Sequence, residues 1–416
     1  MLKVFCCGAL FLFAASTTLP ETGPTTILWA APSILISALL IAWAAESAQF
    51  FIAQGFALAI LAWMQTLPEF AVEAVLAWHR QSPYLFANLT GALRLLTGVG
   101  WPMIYAAAAV VHRRRTKQPL QKIVMEGEHS VSIVTLLVPL LYIPVVVWRG
   151  SLNLFDALIL TLIYAAYLAV LGKMPPQEEE GIEDLERVPR SIVLSPRPRR
   201  IALITLLFSA GGLLIYFTAE PFLGSLFAVS VILGVPQFVF IQWMAPLVSE
   251  FPEGASTFYW ARTVHRAPMA LMNMVSSNIN QWTLLVAMLP VVYSMSAGTP
   301  SAIRLDDQQK LEVLMTLGQQ LVGALFLVNM ELAWWEAAAL FVLWLLQFVF
   351  SAFGGATPLG QFGEHVRWGV TGVYFAWAAV DIVRLLAKKQ KPPSFTEFVK
   401  MWRTHVRAGA SRHVRQ

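Results

Sequence analysis

Apolar runs long enough to cross a bilayer recur along nearly the whole chain, separated by short polar breaks. They fall at about 27 to 45, 48 to 79, 84 to 111, 130 to 148 and 152 to 172, then at about 200 to 217, 222 to 261, 266 to 293, 310 to 330 and 332 to 352, with a last one at about 366 to 387. A helical span needs about 20 largely apolar residues, because hydrocarbon offers backbone amides and carbonyls no partner outside the helix. Hydrophobic residues make up 57% of the 416 and charged residues 13%. These proportions predict an all-α integral membrane protein, multi-pass, without a soluble domain of any size.

The runs divide as five, five and one. Residues 27–172 read as a first five-helix repeat, 200–352 as a second, and 366–387 as an additional transmembrane helix. Between the repeats, 173–199 carries Glu178 to Glu180, Glu183, Asp184 and Glu186, then Arg187, Arg190, Arg197 and Arg199, the composition of a solvated cytoplasmic linker. Residues 1–20, with Lys3 ahead of an apolar run ending Phe13-Ala14-Ala15-Ser16, have the shape of a signal peptide or a short first span. The only cysteines, Cys6 and Cys7, are adjacent in that run and build neither a disulfide framework nor a thiolate metal site.

The net charge of +5 is explained by topology rather than by nucleic acid. The positive-inside rule places Arg113 to Arg115, Lys117, Lys122, the linker arginines, Arg262 with Arg266, and the basic tail 388–416 on the cytoplasmic side of what reads as a plasma (inner) membrane. The loop at Arg80 then faces outward and its counterpart at Arg262 to Arg266 inward. The two halves have opposite orientation, the inverted-repeat plan of many secondary transporters.

Each half carries a Pro-Glu inside a span: Gln65-Thr66-Leu67-Pro68-Glu69 and, 184 positions later, Ser249-Glu250-Phe251-Pro252-Glu253. Proline has no N–H and clashes with the carbonyl four residues back, here that of Met64 or Val248, so the helix breaks and frees carbonyl oxygens. A carboxylate within the bilayer costs about 2.5 to 3.5 kcal/mol on insertion scales, and a packing role would hardly need that twice. A second polar cluster follows in the next span, Asn88-Leu89-Thr90-Gly91 in one half and Asn273 to Asn278 in the other. Small oxygen ligands from four spans around one centre suit a hard cation.

At these residues the chain resembles the cation/calcium exchanger superfamily, whose two α-repeats carry a Gly-Thr-Ser-Leu-Pro-Glu-like break followed by a Gly-Asn-x-x-Gly-Ser-Asn-like start of the next helix. The resemblance implies a ten-helix exchanger core of two inverted five-helix repeats, with Glu69 and Glu253 as central ligands and helping oxygens at Thr66 and Ser249. It places the family's serine and the side chain four residues beyond on Ser277 and Gln281. In the first half the same positions are Ala92 and Leu96, so two ligands are lost. Glu250 stands where the family usually has serine, an added carboxylate that can restore charge or carry a proton.

Arg94 lies about 15 Å into its span at 1.5 Å per residue, where a guanidinium needs an anion. Glu69, Glu73 and Glu253 are the expected partners. Glu73 shares a helical face with Glu69 and is expected to take the arginine while Glu69 takes the ion, so Arg94 and Glu73 are read as tuning the charge of the site. The chain carries no phosphate-cradling glycine loop and no zinc-binding His-Glu-x-x-His, so it reads as a transporter without a cofactor rather than an enzyme, its partners being inorganic cations and the lipid bilayer. The function expected is secondary-active cation antiport, Ca²⁺ against Na⁺ or H⁺ by resemblance. Two alternatives are a monovalent cation/proton antiporter and, from another class, a non-transporting scaffold or intramembrane enzyme.

Overall fold

The computed structural model describes residues 22–48, 50, 63–64, 66–174, 185–351, 358–387 and 391–407. The choice between signal peptide and short span at residues 1–20 lies outside them, as does Gln65. Helix α1 (Ile27–Ala48) is followed by α2 (Leu67–Trp78). Helix α3 (Ser82–Leu95) passes through one π turn, Leu96–Gly100, into α4 (Trp101–Thr116). Then come α5 (Ser130–Arg149), α6 (Leu154–Leu171), the short α7 (Arg187–Val193) and α8 (Arg197–Leu233). Only Glu250 separates α9 (Gln237–Ser249) from α10 (Phe251–Ala261). Helix α11 (Ala267–Asn280) again continues through a π turn, Gln281–Leu285, into α12 (Val286–Ala297). The chain closes with α13 (Asp307–Leu327), α14 (Trp334–Ser351), α15 (Pro358–Ala387) and α16 (Pro393–Met401). Among the described residues, eight helices are long and apolar enough to cross a membrane.

Two small strand pairs fix the direction of these helices. β1 (Lys122–Val124) pairs antiparallel with β4 (Glu331–Ala333), and β2 (Ser151–Leu152) with β3 (Ile303–Arg304). β1 and β2 flank α5, whose 20 residues make a rod about 30 Å long, so the two pairs lie at opposite ends of the bundle. Helix α4 runs toward β1 and α12 toward β3. The two π-turn spans therefore run in opposite directions. Arg80 donates to the Ser296 carbonyl at 2.7 Å and the Ser296 hydroxyl to the Trp78 carbonyl at 2.5 Å, which holds the Arg80 loop at the β2–β3 end. The loop at 262–266, at the start of α11, lies at the other.

Helix interfaces in lipid depend on close packing rather than on apolar burial, because lipid tails are as apolar as leucine. At Gly91 an added Cβ would stand 1.8 Å from the Gln242 carbonyl oxygen, so the backbones of α3 and α9 touch.

Three expectations change. No break separates 217 from 222: α8 continues through Pro221, and the chain turns at Gly234, φ +65°, ahead of Pro236. A proline interior to a membrane helix is tolerated where neighbours satisfy the freed carbonyl, whereas a left-handed glycine ends a helix outright. The linker is only partly solvated. Val188 and Ile192 of α7 share one face and are buried with Leu40, Trp43 and Ala44 of α1, and the Trp43 indole donates to Glu186 at 2.9 Å. Within the basic tail the described residues form the short helix α16, which the sequence reading did not anticipate.

Candidate cation site

Pro68 and Pro252 each sit in the first turn of a helix, α2 and α10, where a missing N–H costs nothing. The amides of Glu69 and Phe70 close on the Thr66 carbonyl at 3.0 and 3.1 Å. Each Pro-Glu therefore restarts a broken span, and its glutamate stands in the first turn, at the positive end of the helix dipole. Glu69 and Glu253 are both 1% exposed.

Helix α11 and its π turn bring the two glutamates into one network. Gln281 donates to Glu69 at 2.5 Å and to Glu250 at 2.7 Å. Ser277 and Asn273 donate to Glu253 at 2.6 and 3.3 Å. Glu250, in the gap between α9 and α10, lies within hydrogen-bonding reach of both Glu69 and Glu253. Asn280 donates to the Thr66 hydroxyl at 2.5 Å, and that hydroxyl donates to the Trp63 carbonyl at 2.9 Å.

Four oxygens around this network, one each on Glu69, Glu253, Asn280 and Gln281, are buried with no hydrogen-bond donor. Among the described residues no arginine or lysine is paired with Glu69, Glu250 or Glu253. Three buried carboxylates, with Glu250 between the other two, cannot all remain charged in a low-dielectric interior without a compensating cation or protons. Oxygen acceptors without donors, beside excess negative charge, are the donor set of a hard cation. The same groups can instead hold protons.

Other expected residues make other contacts. Ser249 donates to the Ala245 carbonyl of its own helix at 3.1 Å, the ordinary back-bond of a helical serine. Asn88 donates to Glu73 at 2.9 Å, one helical turn from Glu69. Arg94 meets none of Glu69, Glu73 or Glu253: its guanidinium donates to Glu312 of α13 at 2.7 Å, to Gln347 at 3.2 Å and to the Thr90 carbonyl at 3.0 Å, with the Trp243 ring 5.1 Å away. Glu312 also accepts from Arg367 of α15 at 3.1 Å and from Gln242 of α9 at 2.9 Å. The charge of Arg94 is thus met by an anion outside the site, and Glu73 takes an amide rather than the arginine.

Sequence reasoning missed Asn280 and Glu312. Asn280 directly precedes Gln281, and the run Asn278-Ile279-Asn280-Gln281 was a visible concentration of amides in an apolar span. Glu312, Thr316, Gln319 and Gln320 follow one another at helical spacing, a buried polar stripe in α13. Gln319 and Gln320 donate to the Arg94 and Leu93 carbonyls at 3.1 and 2.8 Å, just ahead of the π turn of the α3–α4 span. From there the network reaches α11: Gln320 and Asn278 both donate to the Thr97 hydroxyl, at 2.7 and 3.1 Å.

The sequence profile of the family described as "Sodium/calcium exchanger protein" matches residues 22–173 and 203–353. The crystal structure of the H⁺/Ca²⁺ exchanger CAX is similar over 98% of this chain and 97% of its own, with 30% sequence identity and a TM-score of 0.83. Native YfkE shares the fold at 12% identity over 85% of this chain and 99% of its own, TM-score 0.60. The sodium-calcium exchanger NCX_Mj does so at 16% identity over 77% and 96%, TM-score 0.52. No curated protein sequence is detectably similar to this chain. With its profile matched in both halves and CAX aligned along almost its full length, the chain belongs to the sodium/calcium exchanger family, a family of transporters rather than enzymes.

Proposed function

We propose that the chain is a secondary-active antiporter that moves Ca²⁺ against protons through the site around Glu69, Glu250 and Glu253. The observation that carries this reading is the set of buried oxygens without donors on Glu69, Glu253, Asn280 and Gln281, beside carboxylates that no arginine or lysine among the described residues pairs with. Ca²⁺ together with one retained proton cancels the three carboxylate charges in one state, and three protons cancel them in the other, so two protons exchange for each Ca²⁺. Because each state is close to neutral, each can cross the low-dielectric interior. A mixture of cation and full protonation would not balance, so the two ions exclude each other and exchange is coupled.

Protons are preferred over Na⁺ as the counter-ion for two reasons. The first half has Ala92 and Leu96 where the family pattern supplies further oxygen ligands, which leaves fewer sites for several monovalent ions. The third carboxylate, Glu250, supplies a proton acceptor that shares the Gln281 amide with Glu69. The similarity to an H⁺/Ca²⁺ exchanger points the same way. We assign Glu69, Glu250, Glu253, Asn273, Ser277, Asn280 and Gln281 to the site, with Thr66 oriented by Asn280.

The two halves act as inverted repeats, 27–172 and 200–352, with the β1–β4 end cytoplasmic because Arg113 to Arg115, Lys117 and Lys122 lie there. In this orientation α16 and the C-terminal tail are cytoplasmic. Helices α1 and α8 pack closely on each other, a Cβ at Gly211 meeting the Ser37 carbonyl at 2.9 Å. The pair moves as a unit against the helices that hold the carboxylates, opening the site to one side at a time.

The test is Ca²⁺ flux in proteoliposomes for Glu69→Gln and Glu253→Gln. Each removes a charge that offsets cation dehydration, so exchange is abolished while the folded protein remains in the membrane. Robust Ca²⁺/H⁺ exchange by either variant would overturn the assignment.

A further inference from the structure

Helix α15, a 28-residue span over Gly360–Ala387, ends close to the start of α16 at Pro393. The five residues between them reach at most about 20 Å at 3.3–3.6 Å per residue. Helix α16 is thus confined to the neighbourhood of one membrane face. Its position on the bundle agrees: the Ser394 amide donates to the Val328 carbonyl at 3.1 Å, next to β4, and a Cβ at Gly127 would lie 3.0 Å from the Glu397 carboxylate and 3.3 Å from Met401. Both contacts lie at the β1–β4 end.

Helix α16 continues into a π segment, Trp402–Arg407, and three strips run along the two. One strip, with Ser394, Phe398 and Met401, faces the bundle; Ser394 is buried, and Phe398 and Met401 pack against the core. Next to it runs an apolar strip of Phe395, Val399 and Trp402, spaced i, i+4, i+7, which is 38%, 42% and 41% exposed. Beyond that strip come Lys400, which also pairs with Glu397 one turn back at 3.0 Å, and Arg403 and Arg407, all exposed, and the connection from α15 reads Lys388-Lys389-Gln390-Lys391. A helix that only capped the bundle would present polar residues on every strip not facing protein. Here an exposed apolar strip with an aromatic anchor is bordered by cations, at the level where a transmembrane helix leaves the bilayer.

We propose that the exposed side of α16 docks onto the membrane surface at the β1–β4 end and binds its anionic phospholipid headgroups. Phe395, Val399 and Trp402 enter the boundary between headgroups and acyl chains, and Lys400, Arg403 and Arg407 meet lipid phosphates. A second copy of the chain would cover the apolar strip but bring its own basic strip against this one; an anionic lipid layer satisfies both strips. The inference is independent of which ions the protein exchanges.

The experiment places a nitroxide on Val399→Cys in the full chain, with Cys6 and Cys7 replaced by serine, reconstituted in phosphatidylcholine vesicles with or without phosphatidylglycerol. Collisional accessibility to oxygen and to an aqueous nickel chelate is read at that position and at a control, Thr404→Cys. With phosphatidylglycerol, the label at 399 becomes oxygen-accessible and shielded from nickel, while that at 404 stays in water. Near an anionic surface each basic residue contributes about fivefold to partitioning, so Lys400→Gln, Arg403→Gln and Arg407→Gln together reduce docking by more than about a hundredfold. Three results would overturn the proposal. The label at 399 could be equally open to nickel in both lipids. It could be buried in both with no response to the charge changes. Or spin–spin broadening that vanishes on dilution in lipid could show that a second copy covers the strip.

Discussion

Replacing Glu312 by Gln leaves the Arg94 guanidinium, 1% exposed, without an anion. It loses the ion pair at 2.7 Å and keeps only neutral acceptors, the Thr90 carbonyl at 3.0 Å, the Thr90 hydroxyl at 3.3 Å and the Gln347 amide at 3.2 Å, with the face of Trp243 beside it. Breaking one partner of a buried pair costs about 3–5 kcal/mol, because the remaining charge is uncompensated. Arg367, whose side chain is 20% exposed, can turn toward solvent and adds little. The reverse change is milder. Arg94→Gln leaves Glu312 with Arg367 at 3.1 Å and Gln242 at 2.9 Å, so its cost is that of lost hydrogen bonds, about 1–3 kcal/mol. In the double variant neither charge is orphaned, so it costs less than the two single changes together. Thermal midpoints of the purified protein in detergent, read by loss of the monodisperse chromatographic peak, rank the variants. The expected order is wild type, Arg94→Gln, double variant, Glu312→Gln. A Glu312→Gln protein as stable as Arg94→Gln, or strictly additive effects, would refute the reasoning.

Gly91→Ala forces its new methyl group against the Gln242 carbonyl oxygen, so α3 and α9 separate; the thermal midpoint falls by more than for Gly254→Ala, where nothing lies near the added carbon. A cysteine at Gln81 and one at Val264, each placed singly in a chain whose Cys6 and Cys7 are serine, react with a membrane-impermeant maleimide from opposite sides. Labelling of both from one side would contradict the inverted arrangement of the two halves.

Much of this protein is legible in its sequence because lipid leaves few choices. Where hydrocarbon is the solvent, an apolar run of span length can hardly be anything but a helix, and a Pro-Glu within such a run must break it. The pairing of Glu69 and Glu253 in one polar network follows from the opposite direction of the two halves, and basic loops report that direction. Partner choice was not legible. Arg94 was expected to meet Glu69, Glu73 or Glu253 because these are the intramembrane anions of the two motifs, yet the anion comes from Glu312, 218 positions away. Only the packing of α3 against α13 brings the two together. Asn88 likewise donates to Glu73 rather than to Glu69 one turn away, a choice that spacing along the sequence does not carry. The long run of α8 through Pro221 and the docking of α7 on α1 depend on neighbours that supply what the local sequence lacks.

The account rests on Ca²⁺ and protons competing for one set of buried oxygens, and one flux measurement addresses it most directly. Proteoliposomes free of Na⁺ and K⁺ are given a pH gradient, acid inside, with Ca²⁺ outside, while internal Ca²⁺ and pH are recorded together. The account predicts Ca²⁺ uptake with matching loss of internal protons, both absent in Glu253→Gln. Ca²⁺ uptake that requires Na⁺ and leaves internal pH unchanged would contradict it.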